Sequence, residues 1–525
     1  MNFKLVAYNL GIITLLLACS MFLGMVWALP CFGGVWENES RGVMALFGAI
    51  FITGTVSFML FRYGKHARRE SVFRREAIAI VGLGWILAAI CCALPYGLSG
   101  VPRAVLEDGT LVPMSVVDCL YESISGITTT GGTVISEVEN PEIMPRTILF
   151  WRALTHFIGG LGIVVLLVAL LNTGMAGRLL VRGELSGPKQ SGLGGRIQIT
   201  MRRTLTVYLF MNAVLVILLI ACGLSCYDSL CFSFGTIATG GLAPRNTSFA
   251  FYRTVADVNF VAAEWILGTF AFISGMNLVS LYLLGTGIWR PLVKCREWQV
   301  YVLLVLVTVT GISILQHTPD AQNGIAFGET VRNSYFQVIS CITTTGYATC
   351  NYTLWTASAQ MMLFALMFIS ACSGSTSGGF KVARYILLFK ILNIELEKIY
   401  RPAIVRPLYY NGERLRETSI LSSVLMFFAM AFLTILGTWF FLVIVEPSTI
   451  WEGQNSVMTT KTQDLFCTSV SHFANVGMGM GVFGFDYTFG ELSEMSKFVL
   501  ACVMLLGRLD FFAILLLFSP TFWKK

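Results

Sequence analysis

The stretch Ser125-Gly126-Ile127-Thr128-Thr129-Thr130-Gly131-Gly132 is written again almost unchanged as Ser340-Cys341-Ile342-Thr343-Thr344-Thr345-Gly346-Tyr347. Looser copies stand at Thr236-Ile237-Ala238-Thr239-Gly240-Gly241 and Phe473-Ala474-Asn475-Val476-Gly477. The anchoring glycines Gly131, Gly240, Gly346 and Gly477 return at intervals of 109, 106 and 131 positions. Such a repeat means a fold assembled from like units. Each copy lies between long apolar segments, which predicts four membrane hairpins, each with a polar dip. Irregular backbone at membrane depth is tolerated only when buried in protein or lining an aqueous cavity. Glycine reaches positive φ at little cost, so successive carbonyls can turn toward one axis. A single Thr/Gly-rich segment reads as an ordinary external loop. Four in register, rich in hydroxyls and glycine, are suited to coordinating a dehydrated monovalent cation.

Only 12% of the 525 residues are charged and 55% are hydrophobic. Soluble chains carry roughly 25% charge, so this is an integral membrane protein. The net charge of +7 therefore does not imply nucleic acid; lysine and arginine gather in the cytoplasmic loops of polytopic chains. Of the fourteen cysteines, Cys19, Cys91, Cys92, Cys222, Cys372 and Cys502 sit inside apolar runs, where they act as small hydrophobes. No Cys or His spacing suggests zinc. The first apolar run, about 5–29, is too long for a signal-peptide core.

In order, helices are predicted at about 7–29 and 43–61, joined by a loop over 33–41 that carries Glu37 and Glu39. The cluster Arg62, Lys65, Arg68, Arg69, Arg74 and Arg75 then sets the cytoplasmic side. The first unit has helices at about 76–97 and 147–171. Between them Glu107 and Asp108 lie outside, and a short helix at about 115–129 begins with Ser115 and Asp118 at capping-box spacing. That helix is too brief to span roughly 30 Å. The following loop, with Arg178, Arg182, Lys189, Arg196, Arg202 and Arg203, is inside. Helices at about 204–225 and 257–287 flank the second dip, 298–316 and 357–392 the third, and 418–445 and 494–518 the fourth. Arg290, Lys294 and Arg296, then Lys398, Arg401, Arg406, Arg414 and Arg416, and finally Lys524 and Lys525 mark the inner side.

The reading is an all-α membrane protein with ten spanning helices and both termini inside. It divides into a helix pair (1–70) and four helix–loop–helix units (71–196, 197–296, 297–416 and 417–525). Two spans plus a re-entrant dip per unit insert every unit the same way up. Inverted repeats of rocking transporters need an odd number of spans, so a single pore with four-fold pseudosymmetry is expected.

Two further features stand out. The run from Ser373 to Gly379, with Gly374, Ser375, Thr376, Ser377 and Gly378, interrupts the returning helix of the third unit. It reads as a glycine/serine kink that eases packing or as a functional break. Arg508 lies about 15 residues into the last helix, ~22 Å at ~1.5 Å per residue. At that depth an arginine costs at least ~2.5–3.5 kcal/mol unless paired or hydrated. External acids such as Glu137 and Glu139 are placed to concentrate cations. Gly479 to Gly484 matches GxGxxG, but no βαβ unit surrounds it. His66, His156, His317 and His472 form no ligand set, and no nucleophile–base pattern or enzyme activity is expected.

These motifs, with His156-Phe157-Ile158-Gly159-Gly160-Leu161-Gly162, Ser373 to Val382 and Gly507-Arg508-Leu509-Asp510, resemble the Trk/Ktr/HKT superfamily of potassium transporters, nearest the bacterial Trk branch. The resemblance covers essentially the whole chain. It implies potassium uptake across the bacterial cytoplasmic membrane, with potassium as substrate and no cofactor on this chain. It implies a filter drawn from Thr129, Thr130, Gly131, Thr239, Gly240, Thr345, Gly346, Asn475, Val476 and Gly477, and a gate made of Gly374–Gly379 with Arg508. One branch carries serine at the first filter glycine and favours sodium; this chain has glycine in all four, so a sodium-selective or sodium-coupled conductor is the alternative. In the fourth loop Met478 stands where the family usually has proline. The resemblance further implies a homodimer and a cytoplasmic nucleotide-binding regulatory subunit.

Overall fold

A computed structural model describes residues 1–32, 34–65, 73–106, 108–162, 197–317, 326–402, 408–410, 413–415, 417–452, 457–485, 488–509 and 511–524. Three long helices come first: α1 (Phe3–Gly24), α2 (Trp36–Gly64) and α3 (Arg74–Ser99). A small hairpin, β1 (Pro102–Val105) with β2 (Leu111–Pro113), leads into the short helix α4 (Val116–Ile127) and then α5 (Arg146–Leu161). The second unit is α6 (Ile197–Ala221), short helix α7 (Cys226–Ala238), α8 (Phe260–Ser274) and α9 (Leu278–Gly285), followed by the single turn α10 (Arg290–Lys294). The third is α11 (Arg296–Leu315), short helix α12 (Phe327–Ile342), α13 (Ala357–Met367) and α14 (Val382–Tyr400), closed by the hairpin β3 (Leu408–Tyr410) and β4 (Glu413–Leu415). The fourth is α15 (Glu417–Val445), short helix α16 (Val457–Phe473), α17 (Glu494–Arg508) and α18 (Phe512–Leu515).

Among the described residues six helices are long and apolar enough to cross a membrane, and α8 with α9 passes the same test as a pair bent by 109°. The chain is thus a mostly helical, multi-pass membrane protein. The predicted short helix of the first unit is present, with the expected capping box. Ser115 Oγ accepts from Asp118 N, and Asp118 accepts from Ser115 N, each at 3.0 Å. The second unit repeats it in part, Ser225 Oγ accepting from Asp228 N at 3.0 Å. Such caps fix the entry angle of a short helix whose first N–H groups have no other partner.

Several boundaries differ from expectation. The predicted loop over 33–41 is largely helix, since α2 begins at Trp36. This lets buried Glu39 accept from the N–H groups of Arg146 and Thr147 at 2.9 and 3.0 Å. It thereby caps α5, whose own N-cap is Pro145 with no side-chain bond. The predicted helix 257–287 breaks at Gly275-Met276-Asn277. A Cβ on Gly275 would stand 2.6 Å from the Tyr301 hydroxyl, and Asn277 caps α9 by accepting from Val279 N at 2.9 Å. The predicted helix 494–518 stops at Arg508, and Phe511 takes φ 60°. The expected continuation of α5 beyond Gly162, the basic residues Arg178, Arg182, Lys189 and Arg196, and Glu107, His66, Arg68, Arg69, Arg406, Arg416, Asp510 and Lys525 lie outside the described residues.

The amino-terminal part of the chain is tied to its carboxy-terminal part through α4 and α17. Lys497 of α17 and Asp118 of α4, both fully buried, form an ion pair, and Ser115 Oγ donates to Glu494 at 2.8 Å. Alone, either charge would be very costly inside apolar surroundings.

Candidate functional site: four loops around one axis

Each short helix ends in the same backbone figure. Thr129, Thr239, Thr344 and Asn475 hold φ values of 54°, 56°, 61° and 54°, a left-handed conformation that non-glycine residues seldom adopt. One residue further on, the N–H groups of Thr130, Gly240, Thr345 and Val476 donate back to Ser125, Gly235, Ser340 and Ser471 at 2.7–2.9 Å. Next comes a glycine at positive φ: Gly131 (86°), Gly241 (84°), Gly346 (77°) and Gly477 (73°). Three independent markers therefore put Gly241 in register with the other three glycines. The expected Gly240 corresponds instead to Thr130, Thr345 and Val476. The two adjacent glycines are alike as letters, and these three backbone markers set the count.

The four glycines meet in a ring. A Cβ on Gly131 would strike the Gly240 carbonyl oxygen, one on Gly241 that of Thr345, one on Gly346 that of Val476, and one on Gly477 that of Thr130, all at 2.6 Å or nearer. Each glycine thus abuts the carbonyl that precedes the next glycine, in chain order, and the fourth returns to the first. A side chain at any of these positions would force the neighbouring carbonyl to shift. Gly131, Gly241, Gly346 and Gly477 also line one cavity of about 120 Å³.

Hydroxyls stiffen the loops from behind. Thr128 and Thr130, and likewise Thr343 and Thr345, share hydrogen bonds of 2.7 Å. Asn475 Nδ2 donates to Thr130 Oγ1 at 2.9 Å and to Met504 O at 3.0 Å, linking the fourth loop to the first. A pair the sequence did not single out, Arg152 and Glu122, meets at 2.5 Å with both side chains buried. Arg152 Nη1 also donates to Ala243 O at 2.8 Å, while Glu122 accepts from Val134 N at 3.1 Å. Glu137 and Glu139 are engaged as well: Glu139 accepts from Asn246 N at 2.8 Å and Glu137 from Asn246 Nδ2 at 3.2 Å. They clamp the first loop's flank to the second's.

The segment between α13 and α14 lies directly against these loops. Gly378 N donates to Thr344 Oγ1 at 3.0 Å, and a Cβ on Gly378 would stand 2.6 Å from that of Asn475. Gly379 is equally close to Ala474 O and holds φ 65°. Thr376 and Ser377 are buried. The segment is tied by bonds to the start of α9, to Glu297 and to Arg508, and by bonds within itself. Asn277 Nδ2 donates to Ser373 O at 2.8 Å and Leu278 N to Gly374 O at 3.1 Å. Lys381 donates to Ser377 O, and Ser375 and Ser377 share a bond of 2.7 Å. Glu297 accepts from Ser373 N at 2.5 Å and from the Tyr410 hydroxyl at 3.2 Å. Burial, and then the Glu297 carboxylate, push the Tyr410 phenol well above its usual range, so it stays a donor. Finally, Arg508 donates to Thr376 O and Gly159 O, each at 2.9 Å. The break in α8–α9 and the break in the third unit are thus one hydrogen-bonded assembly.

A TrkH family model, described as a cation transport protein, matches residues 97–284 and 293–525. The chain belongs to the TrkH family of cation transport proteins. It is similar along its full length to the Trk system potassium uptake protein TrkH of Halomonas elongata, at 29% identity over all of both chains. It is 28% identical to TrkH of Escherichia coli K12, again over all of both, and 27% identical to TrkG of the same strain over 99% of each. The crystal structure of the potassium transporter TrkH from Vibrio parahaemolyticus superposes with a TM-score of 0.81 over 100% of both chains at 24% identity, which establishes a shared fold.

As a TrkH-family chain the protein is a transporter and not an enzyme. The GxGxxG match at Gly479–Gly484 belongs to a loop, where Asp464 fills the space a Cβ on Gly481 would need and accepts from Val482 N at 3.1 Å. Two of the four histidines sit at the loops but hold no metal geometry. Among the described residues no group of three or more His, Cys, Asp or Glu side chains converges.

Proposed function

We propose that this TrkH-family chain takes up potassium across the bacterial cytoplasmic membrane, through a filter formed by the four loops. The ring of positive-φ glycines, each abutting the carbonyl of the next loop, carries this reading. Such packing crowds backbone carbonyls around one axis, where their oxygens can replace the hydration shell of a potassium ion. The filter comprises Thr129, Thr130 and Gly131, Thr239 with Gly240 and Gly241, Thr345 and Gly346, and Asn475, Val476 and Gly477. A negative-inside potential favours entry by about 2.3 kcal/mol per charge per 100 mV. The segment Gly374–Gly379 and Arg508 form the gate on the inner side of the filter.

The surrounding architecture is read as four helix–loop–helix units plus a helix pair, ten spans in all, with both termini cytoplasmic. Relatives named as Trk system potassium uptake proteins over the full chain length support the substrate. The chain acts as a homodimer with a cytoplasmic nucleotide-binding regulatory subunit (TrkA-like).

The test is rubidium and sodium flux in liposomes holding the purified chain. Gly131→Ser places a side chain against the Gly240 carbonyl at φ 86°, which costs about 1–2 kcal/mol from the backbone alone. It should raise sodium permeation relative to rubidium. Unchanged flux ratios in a folded variant would remove Gly131 from the filter. A wild-type chain that passes sodium in preference to rubidium would favour the sodium conductor.

A further inference from the structure

Aligned on the shared backbone figure, the second loop lacks two side chains that other loops carry. Ser125 and Ser340 donate to the carbonyls of Gly132 and Tyr347 at 2.5 and 2.6 Å; the second loop has Gly235 at that position. Where the others have the β-branched residues Thr130, Thr345 and Val476, it has Gly240. Neighbouring units occupy both spaces. A Cβ on Gly235 would fall on the Tyr347 hydroxyl of the third loop. That hydroxyl donates to Leu242 O at 3.4 Å, the carbonyl equivalent to the two that the serines hold. A Cβ on Gly240 would fall 2.5 Å from Cγ and Cδ2 of His156, on α5 of the first unit.

His156 also orients the loop. Its Nδ1 lies 2.7 Å from Gly126 O, which can only accept, so Nδ1 carries the proton. Nε2 then accepts from Leu242 N at 3.0 Å. The Gly241–Leu242 peptide is planar and trans. An N–H aimed at His156 therefore turns the Gly241 carbonyl to the opposite side, away from α5. One turn earlier on α5, Arg152 holds Ala243 O. Two successive rungs of one helix thus fix the exit of the second loop.

We propose that the second loop is shaped by its neighbours. The Tyr347 hydroxyl and the His156 imidazole serve as its absent serine and β-branched side chains, and both are positioning residues for ion selectivity through the Gly241 carbonyl. This rests on the filter reading above.

The experiment measures rubidium and sodium flux, with thermal stability, on the full chain in liposomes. Tyr347→Phe and His156→Gln keep most of the side-chain volume. Each should lower the rubidium/sodium ratio about fivefold, equivalent to about 1 kcal/mol at ~1.4 kcal/mol per decade, with little change in melting temperature. Returning the side chains to the loop should compensate. Gly235→Ser with Tyr347→Leu, and Gly240→Thr with His156→Ala, should recover ratios that the single changes lose, a coupling that independent sites do not show. Strictly additive losses in both pairs overturn the proposal. So do unchanged ratios in folded Tyr347→Phe and His156→Gln proteins, which decide the matter even if a double variant does not fold. Gly131→Ser run in parallel separates the two levels: a shift there alone leaves the filter standing and refutes the supply by neighbours, whereas no shift there removes Gly131 from the filter and fails the reading on which this inference rests.

Discussion

Replacing Arg508 by glutamine tests whether the third-unit loop is a gate. Arg508 reaches two carbonyls from one guanidinium, Thr376 O in that loop and Gly159 O at the end of α5. Hydrogen bonds from a charged donor contribute about 1.5–3 kcal/mol each. A glutamine amide is shorter and neutral and can keep at most one of them. Loss of one bond loosens the loop from α17 by that amount, a factor of about 10 to 100 in its closed-to-open ratio at ~1.4 kcal/mol per decade. If Arg508 lies beside the proposed ion path, removing its fixed positive charge acts in the same direction, since like charges repel more strongly where water is scarce. Resting rubidium flux through Arg508→Gln should therefore rise by about an order of magnitude, while the rubidium/sodium ratio holds, because the four glycines abut one another and not Arg508. Tracer uptake into liposomes and thermal unfolding of the same preparation give both quantities. Slower flux together with a lower melting temperature would mean that Arg508 only braces α5 and the loop, and the gating argument would be wrong. Wild-type flux at wild-type stability would be equally damaging.

Three other outcomes are expected. Deleting Gly374 to Gly378 should raise resting flux, but at a visible loss of stability, since Gly378 packs on Asn475 and bonds to Thr344; a well-folded deletion that is silent or wild-type in tracer uptake speaks against obstruction. Glu297→Ala frees the buried Ser373 N–H and should raise resting flux several-fold, at about 1–3 kcal/mol for an unsatisfied buried donor, whereas Glu297→Gln keeps an acceptor there and should stay near wild type in the same assay. Ser115→Ala removes the capping-box acceptor and the bond to Glu494 and should lower the thermal midpoint, in line with about 1 kcal/mol for an N-cap, while leaving the flux ratio intact.

The repeat was open to reading because its determinants are local. Ser115 and Asp118 three residues apart specify a capped helix wherever they stand, and Thr-Thr-Thr-Gly specifies a place where helix must end. The partial copy at Ser225 and Asp228 carried the same signal and could have been found in the same way. Apolar length marked the long helices α1, α2, α3, α6, α11 and α15, since a bilayer imposes that length on any sequence that crosses it. The other features depend on partners distant in the chain. Gly240 and Gly241 are alike as letters, and the left-handed Thr239, the bond from Gly240 N to Gly235 O and the Thr345 carbonyl against Gly241 place the second glycine in the ring. The bend at Gly275–Asn277 is held from a distance as well as by its local cap, since Asn277 also bonds to the third-unit loop 96 positions away. Glu39 and Arg152 gave no sign of a role in the sequence, and His156 stood out only as part of a motif, until the fold brought all three to backbone groups. By itself, then, the sequence determined the membrane class, the four recurring Thr/Gly segments and the caps that start α4 and α7, because periodicity, caps and glycine conformations act over a few residues. Tertiary structure decided the register of the ring, the breaks in the returning helices and the buttresses behind the loops, because a carbonyl can be oriented only by whatever the packed chain sets beside it.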